Sequence, residues 1–307
     1  MKTVSVIIPA YNAGATLAET IATVTKQDYP DWELIIVDDG STDDTLLIAS
    51  EEARHDERIR VVSSPNGGPS RARNVGLTHA QGEMIAFLDA DDRWSHDKLS
   101  THVGFLRARP EVDLSFASVC FFNDDPTRGR HRSRFPKGRL TLAQVLGENP
   151  ACTSSNIFVR RSFITRLGAF NESLRHAEDH ELLLRAVLSG AHVEGIHCEL
   201  VAYRTSPIGA SADLLAMLEG WRQIMQSQAI ARDELSRALA VYYRYLARHA
   251  LRTNQPPEVA LRYIKQALES SASGFFGDLR RGVLTIVAAG LSLALPLPIR
   301  RRLLADN

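Results

Sequence analysis

Three acids crowd the end of an apolar run, Met84-Ile85-Ala86-Phe87-Leu88-Asp89-Ala90-Asp91-Asp92. A sheet interior cannot hold bare carboxylates, since burying even a neutral polar group unpaired costs roughly 2–7 kcal/mol. These acids therefore belong at the carboxyl end of a buried strand, in a crevice facing water or a cation, where open α/β sheets bind ligands. Asp89 and Asp91 are two apart, so an extended chain points both to one side. Such a pair suits Mg²⁺ or Mn²⁺, hard cations that join protein oxygens to phosphates. Taken alone, Asp-x-Asp is more often a polar turn that caps a following helix. Two further acidic stretches change that weighing. Asp38-Asp39 ends the apolar run Trp32–Val37, and Glu178-Asp179 opens a helix whose apolar face is Leu182, Leu183, Ala186 and Val187. The second pair also has a purely structural reason, because acids in a first helical turn gain about 0.3–1 kcal/mol each from the helix dipole.

The elements that must position these groups alternate. Thr3 to Ile8 reads as a buried strand stopped by Pro9, and Tyr11 to Gly14 as a loop. A helix follows from Ala15, with Leu17, Ile21 and Val24 in register. After the strand Trp32–Val37, Ser41 is the expected N-cap, with Asp44 completing a capping-box variant and a helix to about Ala53. Ile59 to Val62 is a third strand. Asn66-Gly67-Gly68-Pro69 is a turn that puts Pro69 at the start of a helix carrying Arg71 and Arg73. Strand–helix alternation with short connections predicts an α/β fold with a doubly wound, mostly parallel sheet.

Beyond the acidic turn the pattern predicts a helix over Ser95–Arg109, a strand over Val112–Phe122, a short helix over Thr141–Leu146, a strand over Ser155–Arg160, a helix over Ser162–Leu167 and a strand over Val193–Tyr203. Residues 123–139 carry Arg128, Arg130, Arg132, Arg134, Lys137 and Arg139. This basic loop is either a solvated surface or a lid over an anionic ligand. From Ser211 to about Ser270 the composition turns to helices rich in Ala, Leu and Arg, a C-terminal helical appendage in which Tyr242, Tyr243 and Tyr245 read as packing. Gly282 to Ile299 is uncharged but broken by Pro296 and Pro298, and Arg300, Arg301 and Arg302 follow. A span needs about 20 apolar residues. The segment fits an in-plane helix touching a membrane, or a helix packed on its own core or on a second copy.

Bulk properties narrow the classes. The chain has 307 residues, 44% hydrophobic and 23% charged, with zero formal net charge, so it carries no general electrostatic footprint for nucleic acid. Cys120, Cys152 and Cys198 show no zinc or redox spacing, which suits buried thiols in a reducing, cytoplasmic setting. The opening MKTVSVIIPAYN reads as a strand and not as a signal peptide.

Three strand ends, Pro9–Asn12, Asp38-Asp39 and Asp89–Asp92, should line one crevice. No Gly-x-Gly-x-x-Gly follows the first strand and no Walker loop is present. A mononucleotide diphosphate held through a cation fits better than a dinucleotide. The stretches VSVIIPAYN (4–12), ELIIVDDGSTDDT (33–45), NGGPSRARNVGL (66–77), GEMIAFLDADD (82–92) and LGAFNESLRHAEDHELLLR (167–185) together resemble the family 2 inverting glycosyltransferases of the GT-A fold, over residues 3 to about 205. The resemblance implies that Pro9, Tyr11 and Asp39 contact the nucleotide base, that Arg73 borders the nucleotide pocket, that Asp89 meets the ribose, that Asp91 binds the divalent metal, and that Asp179 is the catalytic base. Asp92 is not a ligand in that pattern. The Gln-x-x-Arg-Trp motif of processive synthases is missing, which argues for single addition.

On this reading residues 1–205 are a GT-A domain, with 1–92 the nucleotide half and 93–205 the acceptor half. Residues 206–274 are a helical extension and 275–307 an apolar, basic-flanked segment. The expected cofactors are Mn²⁺ or Mg²⁺ and a nucleotide-sugar donor, of which a UDP-sugar is the commonest kind. The expected acceptor is a glycan or a lipid-linked sugar, as in bacterial surface polysaccharide or glycolipid synthesis, at the inner face of the plasma membrane. Two rivals remain. A non-catalytic nucleotide or sugar binder would release no nucleoside diphosphate. A sugar nucleotidyltransferase would need a Gly- and Lys-rich phosphate loop after the first strand, which is absent.

Overall fold

The computed structural model describes residues 2–123, 131–174, 176–205, 213–296 and 300. Arg128 and Arg130 of the basic loop lie outside them, as do Pro298, Arg301 and Arg302 near the end of the chain. The chain divides into two compact units, one of residues 1–140 and 150–205, the other of residues 141–149 and 206–307.

The first unit is built on a nine-stranded sheet. Its strands are β1 (Val4–Ala10), β2 (Trp32–Asp38), β3 (Ile59–Ser63), β4 (Met84–Phe87), β5 (Arg93–Trp94), β6 (Leu114–Phe122), β7 (His131–Arg132), β8 (Phe158–Arg160) and β9 (Val193–Arg204). The order is β3-β2-β1-β4-β8-β6-β9-β5, with β7 hydrogen-bonded to β6. The long pairings, β1 with β2 and β4, β2 with β3, and β6 with β9, are parallel; the short ones, β4 with β8, β6 with β8, β5 with β9 and β6 with β7, are antiparallel. The fold is thus mixed α/β with a mostly parallel sheet. β1 and β2 are buried almost throughout, which is why they read as mostly apolar runs; their polar members Ser5 and Glu33 satisfy each other, the Ser5 hydroxyl donating to Glu33 Oε1 at 2.5 Å.

Helices α1 (Leu17–Thr25), α2 (Thr45–His55), α3 (Pro69–His79) and α4 (Lys98–Ala108) connect the first strands. α3 approaches β1 so closely that a Cβ on Gly76 would lie 2.4 Å from Ile7 Cγ2. In the second unit α5 (Leu142–Gly147) joins the later helices, while α6 (Arg161–Leu167) and α7 (Glu178–Leu188) return to the first. α8 (Leu214–Gln226), α9 (Arg232–Arg252), α10 (Pro257–Ser270), α11 (Ala272–Phe275) and α12 (Leu279–Ala294) complete the helical unit. Trp221 stacks on Tyr242 there and Tyr243 on Tyr263, so those tyrosines are packing residues.

Several local expectations are corrected. Ser41 does not cap α2; the N-cap position is Asp44, and the Ser41 hydroxyl instead accepts from the Asn12 N–H at 3.0 Å. The expected helix from Ser95 starts at Lys98. Ser155 and Asn156 are not strand but part of a 3₁₀ turn, Ser154–Asn156, and β8 begins at Phe158. Within the basic loop Arg132 lies in β7 and pairs with Glu199. Cys152 and Cys198 are only partly buried.

Candidate active site

The loops after β1 and β2 lock together before any ligand is considered. Asn12 takes a left-handed conformation (φ 47°). Its Oδ1 accepts from Thr42 N at 2.8 Å, while the N–H groups of Ala13 and Gly14 donate to Thr45 Oγ1 and Asp43 Oδ2 at 2.7 and 2.9 Å. Pro9 sits near the end of β1 opposite Val37. Tyr11, just beyond it, is 54% exposed. An aromatic ring on an otherwise pinned loop is available for stacking.

Asp39 follows β2 and is buried, but not bare. Gly67 N donates to its carboxylate at 3.0 Å, Gly68 N at 2.8 Å and Ser64 Oγ at 3.4 Å. Gly68 holds φ 87°, a conformation that keeps its N–H aimed at Asp39 and that a side chain would resist. A carboxylate offers about four lone-pair sites, so Asp39 anchors the Asn66–Pro69 turn and keeps capacity for one more donor.

Arg73, on α3, is the hinge of the site. It is 3% exposed. Its Nη2 donates to Asp89 Oδ1 at 2.5 Å and its Nη1 to Glu178 Oε1 at 2.8 Å. Burial works against the charged guanidinium, but Asp89 and Glu178 outweigh it and hold Arg73 above its usual range. Phe170 lies against the guanidinium at 5.2 Å. One arginine therefore joins the end of β4 to the start of α7, which are far apart in sequence.

The acids after β4 divide by partner. Asp89 takes Arg73 on one oxygen and Thr153 Oγ1 on the other at 3.1 Å. Asp92 is fully buried, accepting from Ser155 Oγ at 2.6 Å and from Arg204 N at 2.9 Å. Burial, Asp91 and Asp89 push it well above the carboxylate range. Both carboxylate oxygens of Asp92 have partners within the protein. Asp91 has no ion-pair partner among the described residues. Burial and then Asp89 push its pKa up to about 6, against a weaker opposing pull from Arg204. A carboxylate left in that condition is the one that a cation would relieve. Among the described residues no group of three or more His, Cys, Asp or Glu could hold a metal by itself. Mg²⁺ or Mn²⁺ needs none where one or two carboxylates share it with phosphate oxygens and water, so the donor set fits that kind of binding.

Asp179 lies in the first turn of α7, a helix that starts directly after Ala177, whose φ of 60° is unusual for a residue with a Cβ. Burial and the neighbouring Glu178 push it up to about 7, against the His180 N–H, which donates to its Oδ1 at 2.8 Å, and against Arg73. A carboxyl near 7 is matched to general-base work.

Sequence reasoning passed over the residues that hold these acids. The Thr153–Asn156 turn contributes Thr153 and Ser155, and its Asn156 side chain bonds both ways to the Ala117 backbone at 2.8 and 2.7 Å. Arg204, at the end of β9, donates to the Asp91 carbonyl at 3.0 Å and pairs with Glu19 at 2.6 Å. A polar TSSN run was visible, but no spacing rule links it to Asp89 or Asp92.

With this geometry in place, a sequence profile described as glycosyl transferase family 2 matches residues 5–168, more than half of the chain and every strand from β1 to β8. The chain belongs to glycosyl transferase family 2. Among curated relatives, the putative teichuronic acid biosynthesis glycosyltransferase TuaG of Bacillus subtilis is 48% identical over 125 residues, 40% of this chain. That match spans about half (49%) of TuaG. WfgD of Escherichia coli, a UDP-Glc:alpha-D-GlcNAc-diphosphoundecaprenol beta-1,3-glucosyltransferase, is 30% identical over 213 residues, covering 68% of this chain and 80% of WfgD. Two solved structures share the fold at low identity. The mannosyltransferase PcManGT from Pyrobaculum calidifontis has a TM-score of 0.62 at 21% identity, covering 99% of this chain and 84% of its own. S. aureus TarS (1–349) has 0.60 at 20%, covering 92% of each chain.

Proposed function

We propose that this family 2 chain is an inverting, metal-dependent transferase. It would move one sugar from a nucleotide-diphosphate sugar to an acceptor hydroxyl, in the synthesis of a bacterial cell-surface polysaccharide or glycolipid. The observation that carries the reading is the Arg73 bridge, which ties Asp89, two residues before Asp91, to Glu178 at the start of the helix that carries Asp179. A diphosphate-binding side and a base side then face one site.

The roles follow from the surroundings of each group. Tyr11 and Pro9 lie against the base, Asp39 takes a base N–H with its remaining lone pair, and Asp89 accepts from the ribose. Arg73 borders the nucleotide pocket and orients Asp89 through the 2.5 Å contact of its Nη2. Asp91 would hold Mg²⁺ or Mn²⁺, which when bound neutralises charge on the diphosphate leaving group. Asp179, pushed up to about 7, takes the acceptor hydroxyl proton as that oxygen attacks the anomeric carbon. The bond from that carbon to the diphosphate breaks in the same displacement, so configuration inverts. Asp179 contributes roughly 10²–10⁴-fold by proton transfer.

The donor and setting are drawn from relatives. WfgD is named for a UDP-Glc donor and a diphosphoundecaprenol-linked acceptor, and TuaG for teichuronic acid. Structures of the same fold are described with UDP-GlcNAc and with GDP-Man and Mn²⁺. A UDP-sugar, a lipid-linked or glycan acceptor and a place at the cytoplasmic face of the plasma membrane are the assignments these support.

The test is a panel of UDP, GDP, dTDP and CDP, each with and without Mn²⁺, read by thermal shift and followed by release of nucleoside diphosphate from the matching sugar donor. A Mn²⁺-dependent rise with one nucleotide, and release that depends on Asp179, is expected. Binding without release in the presence of acceptor would leave a sugar-nucleotide binder instead.

A further inference from the structure

Helix α12 carries its apolar residues on the side opposite to that of an ordinary globular helix. The face it buries is made of small residues, Gly282, Thr285, Ala289 and Ser292. Thr285 and Ser292 turn their hydroxyls onto the helix's own carbonyls, at Arg281 O and Ala289 O, 2.7 Å each, and so need no other partner. The bulky residues point outward. Val283, Leu284, Ile286, Val287, Leu291 and Leu293 are each 39–58% exposed. At 100° per residue they cover about half of the helix circumference. Scattered exposed apolar residues need no explanation, but a contiguous face does.

Charge decides what covers it. From Leu279 to Ala305 the sequence holds no acid; Arg280 precedes the face and Arg300, Arg301 and Arg302 follow it in the sequence, while Arg281 is already paired with Glu148 and with the N-cap Asp278 at 3.2 Å each. Arg280 is exposed in the first turn. A second copy laid on this face by a two-fold axis would set basic end against basic end, whether the helices ran parallel or antiparallel. An anionic lipid surface has the opposite complement, with acyl chains for the apolar face and phosphates for the arginines. The helix has 16 residues, about 24 Å at 1.5 Å per residue. That is shorter than the ~30 Å hydrocarbon core, and no helix among the described residues is long and apolar enough to cross a membrane. We propose that the outward face of α12 is a docking surface for an anionic lipid bilayer, with the helix lying in the plane of the interface.

Flotation of the full chain with vesicles tests this, using phosphatidylcholine alone or phosphatidylcholine mixed with phosphatidylglycerol. The chain should float with the mixed vesicles and less so at high salt, where charge is screened. The Leu284→Ser, Leu291→Ser double variant should lose roughly tenfold or more of its partitioning, given the transfer energy of two leucines. Both residues face outward, so helix content by circular dichroism should be unchanged. Arg280→Glu should weaken binding to the mixed vesicles alone. The proposal is overturned if the chain stays unfloated with both compositions, if it binds neutral vesicles equally well, or if sedimentation shows a dimer that the double variant dissolves. Flotation requires neither nucleotide nor acceptor, so its outcome is separate from the fate of the catalytic assignments.

Discussion

Asp179 and Arg73 show how single residues acquire their chemistry from neighbours that the chain brings from elsewhere. An isolated Asp would be ionised well below neutral pH. Here burial and Glu178 raise Asp179 to about 7. A base must be deprotonated to act, so kcat with saturating donor and acceptor should rise with pH through about 7 and then level. Asp179→Asn should lower kcat by roughly 10²–10⁴-fold and remove that limb, while the nucleotide dissociation constant stays close to wild type. Arg73 is a sharper test of the architecture, because it is charged, buried and paired twice. Arg73→Met leaves Asp89 and Glu178 without their counter-ion, and breaking a buried pair typically costs about 3–5 kcal/mol. A denaturant titration should show that loss. If Arg73→Met unfolds no earlier than wild type, the bridge is not what holds β4 to α7.

At the scale of elements, α4 carries a feature unrelated to the site. Lys98 is fully buried, with Nζ 3.3 Å from His102 Nε2, and His102 Nδ1 lies 2.8 Å from Ser115 Oγ on β6. Burial lowers Lys98 from 10.5 to about 7 and His102 well below its usual value. Between about pH 7 and 10 the unfolded chain therefore binds a proton that folded Lys98 releases, so stability contributed at this position increases as pH rises. Lys98→Met should stabilise the fold at pH 7 and flatten the slope of unfolding free energy between pH 7 and 10. Unchanged slope would mean that Lys98 stays charged in the fold. No periodicity betrays this lysine, because a buried Lys at a core-facing helical position looks like an ordinary surface residue one step out of phase.

For the molecule as a whole, cation, nucleotide and stability are linked. Burial and Asp89 leave Asp91 protonated up to about pH 6, without an ion-pair partner among the described residues. A raised carboxyl pKa stabilises the fold below its unfolded value and loses that contribution as pH climbs through about 6. Mn²⁺ competes with that proton. The rise in melting temperature from Mn²⁺ with nucleotide should be larger at pH 8 than at pH 5, and Asp91→Asn should abolish it. Ligand at about 100 times its dissociation constant stabilises by ~2.7 kcal/mol, which a melt reads easily. An equal Mn²⁺ effect at both pH values would place the cation elsewhere.

The pattern of apolar runs and punctuating residues determined the α/β architecture. Three strands leading into Asn12, Asp38-Asp39 and Asp89–Asp92 were legible because buried parallel strands are mostly apolar, although the first runs through Pro9 to Ala10 where a stop at Pro9 was expected. The five motifs in order were enough to point to family 2. What they could not reveal is which acid lacks an ion-pair partner among the described residues. Asp89, Asp91 and Asp92 look alike in sequence, yet Arg73 and Thr153 occupy the first and Ser155 and the Arg204 N–H the third, while the second has no ion-pair partner among the described residues. Those partners lie up to 112 residues away along the chain. Hydrogen-bond partners and desolvation depend on distances through space, which the sheet order β4-β8-β6-β9 creates and no local spacing encodes.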